Sequence, residues 1–152
     1  MCLYTKQNNP ETAREYIECY KIMIVKRDGK AVRLESFYYD HKWIPGKIYS
    51  FDESGATPFE QSRGVVSHGF HAYEDYAFAE SIALCLGNIY ARNGLEIALA
   101  LCRIPEGARY FTGFDGFRTE RDENPACYCA DKIGVVGWRH PGPDGGEWRR
   151  YV

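Results

Sequence analysis

The sequence predicts an α+β fold in which one main helix, at about residues 74–92, packs on a small mixed or antiparallel sheet. Three patterns carry this prediction: a β-rich run that ends in a hairpin turn, one helical periodicity, and one alternating apolar run. A length of 152 residues, with 45% apolar and 26% charged residues, is typical of one globular domain. We therefore expect a single domain over residues 1–152, with a polar N-terminal segment (1–16) and a flexible C-terminal tail (139–152).

The N-terminal part of the chain predicts a short helix and a β-hairpin. Residues 11–20 could form a helix, because Pro10 suits the first helical position. The β-rich run that follows ends at Asp28-Gly29, a dipeptide that favours the tight turn of a hairpin. The returning strand would cover residues 31–39.

The middle of the chain predicts a turn, a short strand and a loop. Pro45-Gly46 marks the turn, and residues 47–51 form the strand. Residues 52–64 are polar and contain Gly and Pro, which is typical of a loop. The segment 68–73 then carries the chain from a strand into the main helix.

The main helix is predicted from its ends and from its apolar spacing. Glu74 and Asp75 suit the first turn because the helix dipole favours negative charge there. Asn93-Gly94 ends the helix, since Gly adopts the left-handed end conformation at little cost. The apolar residues that recur at helical spacing are Phe78, Ile82, Cys85, Leu86 and Ile89.

The second half of the chain predicts further strands. Residues 95–104 alternate large apolar side chains with small ones, which is typical of a central strand packed under a helix. Residues 109–112 could form a short edge strand, and residues 113–126 a loop. Residues 132–138 read as a last apolar strand.

Charge and composition exclude several kinds of partner. The net charge of -2 and the isoelectric point near 6.1 do not fit a nucleic-acid-binding surface, which needs a basic patch. No apolar run approaches the roughly 18 residues that span a bilayer, and no secretory leader pattern is present. We therefore expect a cytoplasmic protein, in which the six cysteines stay reduced.

A zinc site is one hypothesis for the cysteines and histidines. His68 and His71 are three residues apart, and Cys127 and Cys129 offer two thiols on one face of a strand. Zinc takes four such ligands in a tetrahedron. The spacing does not match a known zinc loop, and we predict structural residues at these positions, with no metal and no cofactor.

A ligand site at the start of the helix is the second hypothesis. Free backbone N–H groups and the helix dipole make this position suitable for an anion, and a glycine lets a ligand approach the backbone closely. A nucleotide-like ligand could therefore lie there. The predicted ligand-binding residues are His71, Tyr73, Gly69, His68 and Tyr49.

Catalytic motifs are missing from the sequence. The serine hydrolase, Walker, Rossmann and zinc-protease patterns do not occur. The cysteines and histidines permit a Cys–His pair, but no known local motif surrounds them. No catalytic residue is assigned, and the sequence favours a binding protein over an enzyme.

The order of segments resembles that of small uncharacterised proteins from bacteriophages, prophages and gut bacteria. The resemblance covers about residues 20–137, and its most specific part is a Gly-Phe-His-Ala core. It implies a phage-linked or accessory role in the cytoplasm. The matching segments are Tyr20-Lys21, Trp43-Ile44-Pro45-Gly46 with Tyr49, Gly69-Phe70-His71-Ala72, Ile104-Pro105 with Gly107, and residues 130–136.

A looser resemblance leads to the alternative function. The layout is similar to ADP-ribosyltransferase-like folds, which bind NAD between short sheets and use an acidic residue on a late strand. Asp131 is the residue that this chain offers there. Two hypotheses therefore follow: a binding protein that holds a nucleotide-like ligand or a host protein, and an NAD-using transferase or glycohydrolase.

Overall fold

The computed structural model describes residues 3–36, 42–44, 46–50, 59–115 and 127–150. Within these ranges, one α-helix packs on a large antiparallel sheet, and a short 3-10 turn at Ala91–Asn93 follows the helix. The elements are β1 (Leu3–Tyr4), β2 (Glu11–Thr12), β3 (Ile17–Asp28), β4 (Ala31–Ser36), β5 (Lys42–Trp43), β6 (Ile48–Ser50), β7 (Gln61–Ser62), β8 (Val65–Val66), β9 (Phe70–Tyr73), α1 (Tyr76–Tyr90), β10 (Glu96–Ile104), β11 (Arg109–Gly113), β12 (Cys127–Ala130), β13 (Lys132–Arg139) and β14 (Arg149–Arg150).

The main sheet contains eleven of these strands, and every pairing in it is antiparallel. Its order is β14-β13-β10-β3-β9-β12-β11-β2, with β4 and β5 continuing from β3 and β6 pairing with β13. A second sheet has the order β1-β8-β7. The expected α+β class is thus confirmed, and the sheet is antiparallel and larger than the sequence predicted.

Strand β10 is the central strand that its alternating pattern predicted. It pairs with β3 along its whole length and with β13 on its other edge. Ala98, Ala100 and Cys102 belong to one apolar core, whereas Leu99 belongs to the other, where helix residue Ala79 packs. The small residues therefore line the face of the sheet away from the helix, and the large ones face it.

The hairpin at Asp28-Gly29 is present, with a shift of one residue. Asp28 is still paired, opposite Ala31, so the two turn residues are Gly29 and Lys30. Gly29 has a φ of 61°, which is the left-handed conformation that glycine adopts without a steric penalty.

The predicted helix over residues 11–20 is wrong. Glu11 and Thr12 pair with β11, and the strand β3 begins at Ile17. The Ala13 carbonyl, which in a helix would accept from the N–H four residues later, accepts instead from the Gly107 N–H at 2.9 Å, and the Ala13 N–H donates to the Ala108 carbonyl at 2.8 Å. The helix-start preference of Pro10 is a local effect of small magnitude, and pairing with distant strands overrides it.

Two other sequence predictions change in detail. Strand β11 is not at the edge of the sheet, because β2 covers its outer side. Strand β13 confirms the apolar run over residues 132–138, but the chain then returns and pairs β14 with Gly137 and Trp138. The predictions for residues 37–39, 51–58 and 116–126 lie outside the described residues.

The strand-to-helix junction is confirmed, and the helix starts slightly later than predicted. Asp75 is the N-cap: its side chain accepts a hydrogen bond from the Ala77 N–H at 2.9 Å, and the helix begins at Tyr76. At the other end Gly94 has a φ of 70°, as the Asn93-Gly94 pair predicted. None of the described helices is long and apolar enough to cross a bilayer.

Asp75→Ala is expected to lower the free energy of unfolding by about 1 kcal/mol, because the Ala77 N–H would lose its acceptor. Asp75→Asn is the matched control, since an Asn side chain caps almost as well as Asp. Urea unfolding of the two variants checks this. Equal losses in both variants would contradict the capping role.

Candidate functional site

His71 lies in β9 and is buried, with 8% of its surface exposed. Its Nδ1 is 3.1 Å from the Gly69 carbonyl oxygen, and its Nε2 is 3.4 Å from that of Val66. Burial, assisted by the nearby Lys21 ammonium, lowers the pKa of His71 to about 4. The ring is therefore neutral at pH 7, and the shorter contact fits its single N–H as donor to Gly69.

Gly69 makes this contact possible. Its φ of 131° is a conformation that residues with a side chain rarely adopt, and it turns the Gly69 carbonyl back toward the ring of His71. The Lys21 ammonium contacts the carbonyl oxygen of His71. The His71 ring thus donates to the Gly69 carbonyl and its own carbonyl accepts from Lys21, and both of its ring nitrogens face protein atoms.

The other three predicted ligand residues do not gather around His71. Tyr73 is buried and packs edge-on against Phe78, with ring centroids 5.5 Å apart. Tyr49 lies in the core on the opposite face of the sheet, where its hydroxyl accepts a hydrogen bond from the Ile44 N–H at 2.7 Å. His68 points outward, and its Nε2 is 2.8 Å from a Glu60 carboxylate oxygen.

The cysteines near the junction have structural contacts. Cys129 lies opposite His71 on β12, and its thiol donates to the His68 carbonyl at 3.1 Å. Cys127 and Cys129 are both buried, and neither forms a disulfide. In the described parts of the chain, no group of three His, Cys, Asp or Glu side chains is arranged to hold a metal ion.

The start of α1 already has a negatively charged partner. The carboxylate of Asp75 accepts from the backbone N–H that an incoming anion would use. A phosphate at this position would have to displace Asp75 and would be repelled by its charge. The predicted anion site at the helix start is therefore occupied by the protein itself.

A different concave site lies beside the first residue of α1, next to the strand-to-helix junction. We call it the aromatic pocket; its volume is about 330 Å³, and it is lined by Glu18, Tyr20, Tyr76, Leu101 and Trp148.

Strand order explains how residues so distant in sequence line one pocket. Tyr20 on β3 and Leu101 on β10 are direct cross-strand partners, and Gly137 on β13 is the next residue in the same row. Gly137 has no side chain, and both Gly137 and Leu101 are buried. Tyr76 is the first residue of α1, and Trp148 immediately precedes β14. The helix and the C-terminal strand therefore bring these two side chains to the pocket that Tyr20 and Leu101 also line.

The three rings of the aromatic pocket contact one another. The ring centroids are 5.4 Å apart for Tyr20 and Tyr76, 6.3 Å for Tyr20 and Trp148, and 6.1 Å for Tyr76 and Trp148. These distances lie within the range in which aromatic pairs attract each other. All three side chains are partly exposed, so their faces are shared between the protein and the pocket.

Hydrogen bonds hold Tyr76 in place. Its hydroxyl donates to Glu80 at 2.6 Å and accepts from Nη1 of Arg139 at 3.0 Å. Arg139 also donates to the carbonyls of His140 and Gly142, and its guanidinium lies 5.9 Å from the centroid of a Trp148 ring. Desolvation and the Glu80 bond raise the pKa of Tyr76, so its hydroxyl stays protonated at neutral pH.

Negative charge is concentrated beside Tyr20. Desolvation raises the pKa of its phenol, and the charges of Glu18 and Asp75 raise that pKa further. The Glu18 carboxylate is 46% exposed and forms an ion pair with Arg103 at 3.3 Å. The mouth of the aromatic pocket therefore offers rings and an accessible carboxylate.

The high tyrosine and tryptophan content indicated aromatic surfaces, but sequence reasoning did not locate this pocket. The prediction of a tail over residues 139–152 gives Trp148 no part in a ligand site. The junction segment lies next to this pocket, since Tyr73 pairs with Tyr20 and Tyr76 follows three residues later.

Together these features define an α+β protein with an aromatic pocket beside the start of its helix. No protein-family model matches the chain, and comparisons with curated proteins and with solved structures gave no significant match.

Proposed function

We propose that this chain is a binding protein whose aromatic pocket holds a small ligand or a side chain of a partner protein. The observation that carries the proposal is the open pocket beneath three partly exposed rings. Its volume of about 330 Å³ is at the lower end of the range for small-molecule sites. A few polar groups at its rim, led by Glu18, would orient the ligand.

The exposure of the rings argues for binding over a purely structural cluster. A core cluster gains most when its rings are fully removed from water, as for Trp43 and Trp138, which are 3% and 2% exposed. Trp148 keeps part of its ring accessible while its neighbours Tyr20 and Tyr76 fix its position. Such a fixed, half-covered ring gives a ligand a contact surface at little cost in side-chain entropy.

The proposal includes an accessory role in the cytoplasm. None of the five described cysteines forms a disulfide, and four of them are buried, which fits a reducing compartment. The resemblance of the Gly69-Phe70-His71-Ala72 core to phage and prophage proteins supports an accessory role. A host protein is then a reasonable source of the bound side chain.

The NAD-using alternative is less well supported. The acidic residue it would need, Asp131, accepts two hydrogen bonds from Arg109: from the backbone N–H at 2.9 Å and from Nε at 3.1 Å. These bonds tie β11 to the turn after β12, which gives Asp131 a structural role. No described contact of Asp131 favours catalysis.

A thermal-shift screen tests the proposed function. Suitable probes are adenosine, adenosine monophosphate, choline, and the N-acetyl amides of lysine, arginine and tyrosine. A ligand at 100 times its Kd adds about 2.7 kcal/mol of stability, which raises the Tm of a domain this size by roughly 5–10 °C. We expect at least one probe to raise the Tm.

Trp148→Leu is the matched control for this screen, because it removes the exposed ring and keeps an apolar side chain. The same probe should not raise the Tm of this variant. If no probe raises the wild-type Tm, or if the variant responds as strongly as the wild type, the proposed function is wrong.

A further inference from the structure

We infer that the aromatic pocket binds an alkylated ammonium cation, such as a choline-type headgroup or a methylated lysine side chain. The inference rests on the proposed function and gives the chemical class of its ligand. It depends on three properties of the pocket: the ring faces, the sign of the nearby charge, and the scarcity of free hydrogen-bond acceptors.

The rings supply the first attraction. A cation within about 6 Å of an aromatic centroid is drawn to the negative face of the ring, and Trp is the most favourable partner. The protein already uses Trp148 in this way, since the guanidinium of Arg139 lies 5.9 Å from one of its ring centroids. Because Tyr20, Tyr76 and Trp148 border one pocket, a single cation placed there would contact more than one ring.

The charges around the pocket supply the second attraction. Glu18 lines the pocket, Asp75 lies close enough to raise the pKa of Tyr20, and Glu80 is bonded to Tyr76. Two cations are also near. Arg139 donates hydrogen bonds to Tyr76, His140 and Gly142. Its positive charge is therefore directed at acceptors of the protein.

Arg103 is the second nearby cation, and it pairs with Glu18 at 3.3 Å with both side chains substantially exposed. Exposed ion pairs of this kind contribute little stability, so a ligand can displace Arg103 from Glu18. Arg103 would keep its contact with the ring of Tyr16, whose centroid is 4.4 Å from the guanidinium carbon. The Glu18 carboxylate is therefore available to a bound cation.

The acceptors decide in favour of an alkylated nitrogen. A primary ammonium or a guanidinium brings several N–H groups that need acceptors once water is removed. The hydroxyl of Tyr76 is already bonded to Glu80 and Arg139, so the acceptors among the lining side chains are the Glu18 carboxylate and the Tyr20 hydroxyl. Methyl groups need no acceptor, and they would pack against the rings and Leu101.

Choline and its neutral carbon isostere, 3,3-dimethylbutan-1-ol, provide a direct test on the full chain. Trp148 is the one tryptophan of the three that is not buried, so ligand-induced changes in fluorescence report on the pocket. We expect choline to bind about tenfold more tightly than the alcohol, which corresponds to about 1.4 kcal/mol. Glu18→Gln should weaken choline binding severalfold and leave alcohol binding unchanged.

The controls separate this inference from the proposed function. Glu18 is exposed, so Glu18→Gln is expected to fold normally, and circular dichroism would verify this. If the alcohol or adenosine monophosphate binds as tightly as choline, the inference is wrong and the pocket still binds ligands. If no probe of the wider screen acts through Trp148, the proposed function fails and the inference fails with it.

Discussion

His71→Ala is expected to lower the free energy of unfolding by about 2–4 kcal/mol. The substitution leaves a cavity where a buried ring now lies, and it removes the donor that contacts the Gly69 carbonyl at 3.1 Å. The loss should appear in urea unfolding at pH 7.5. It should precede any effect on binding, because the ring itself does not line the aromatic pocket.

The same residue makes the protein sensitive to mild acid. In the unfolded chain the pKa of His71 is near 6.5, whereas burial lowers it to about 4 in the fold. Between these two pH values the unfolded state binds a proton that the folded state does not, so stability falls as the pH falls. The full loss from this residue is roughly 3 kcal/mol, and it is complete below pH 4.

Two variants separate this effect from general acid sensitivity. His71→Gln removes the titration while keeping an N–H donor, so its stability should change less between pH 7 and pH 5 than that of the wild type. His68→Gln changes a half-exposed ring beside Glu60 and should stay within about 0.5 kcal/mol of the wild type. A wild-type fall between pH 7 and pH 5 that persists undiminished in His71→Gln would contradict the assignment, as would an unchanged stability of His71→Ala.

Gly113→Ala is the second substitution with a large expected effect, at about 2 kcal/mol or more of lost stability. A Cβ at this position would overlap the carbonyl oxygen of Tyr4 and come within 3.1 Å of Leu3 Cγ. Backbone atoms cannot rotate away as a side chain can, so β1 must separate from β11. This separation would lengthen or break the two hydrogen bonds that join Tyr4 and Phe114, at 2.9 and 3.0 Å.

Gly87→Ala is the matched control. Gly87 lies in α1, its φ is not positive, and a Cβ there meets no atom within 4 Å. Alanine has the higher helix propensity, so this variant should gain about 0.5–1 kcal/mol. The two glycine variants should therefore move the urea midpoint in opposite directions, and a shift in the same direction would contradict the packing described for β1.

The sequence predicts the parts of the fold that are encoded locally. The Asn93-Gly94 end of the helix depends on the conformational freedom of one residue, and so does the Asp28-Gly29 hairpin. The alternation along β10 reflects two apolar cores, one on each face of this strand. These features need no knowledge of distant partners.

Features that depend on distant partners were beyond sequence reasoning. The segment 11–20 contains strand residues because β10 and β11 offer pairing edges that are far away in the sequence, as for Ile17 with Ile104 and Glu11 with Tyr110, which a local helix preference does not reveal. The aromatic pocket has the same origin, since Tyr20, Tyr76 and Trp148 meet through the order of the strands. The prediction centred on His71 names residues next to this pocket, whereas the candidate site proposed here is formed by the partly exposed rings.

The strand-to-helix junction and the aromatic pocket are connected through the backbone of β9 and the start of α1. His71 holds the turn before β9, Tyr73 at the end of β9 pairs with Tyr20, and Tyr76 begins the helix. The buried ring therefore supports the position of two of the three pocket rings. We therefore expect a change at His71 to affect the pocket through the junction, although His71 does not line it.

The indole N–H resonances of the three tryptophans test the central claim most directly. Trp43 and Trp138 are buried in the core on the opposite face of the sheet, whereas Trp148 borders the aromatic pocket. In a titration with choline followed by NMR, we predict a saturable shift of the Trp148 resonance, with those of Trp43 and Trp138 unmoved. A Trp148 resonance that stays fixed with choline and with every other probe of the screen would contradict the account.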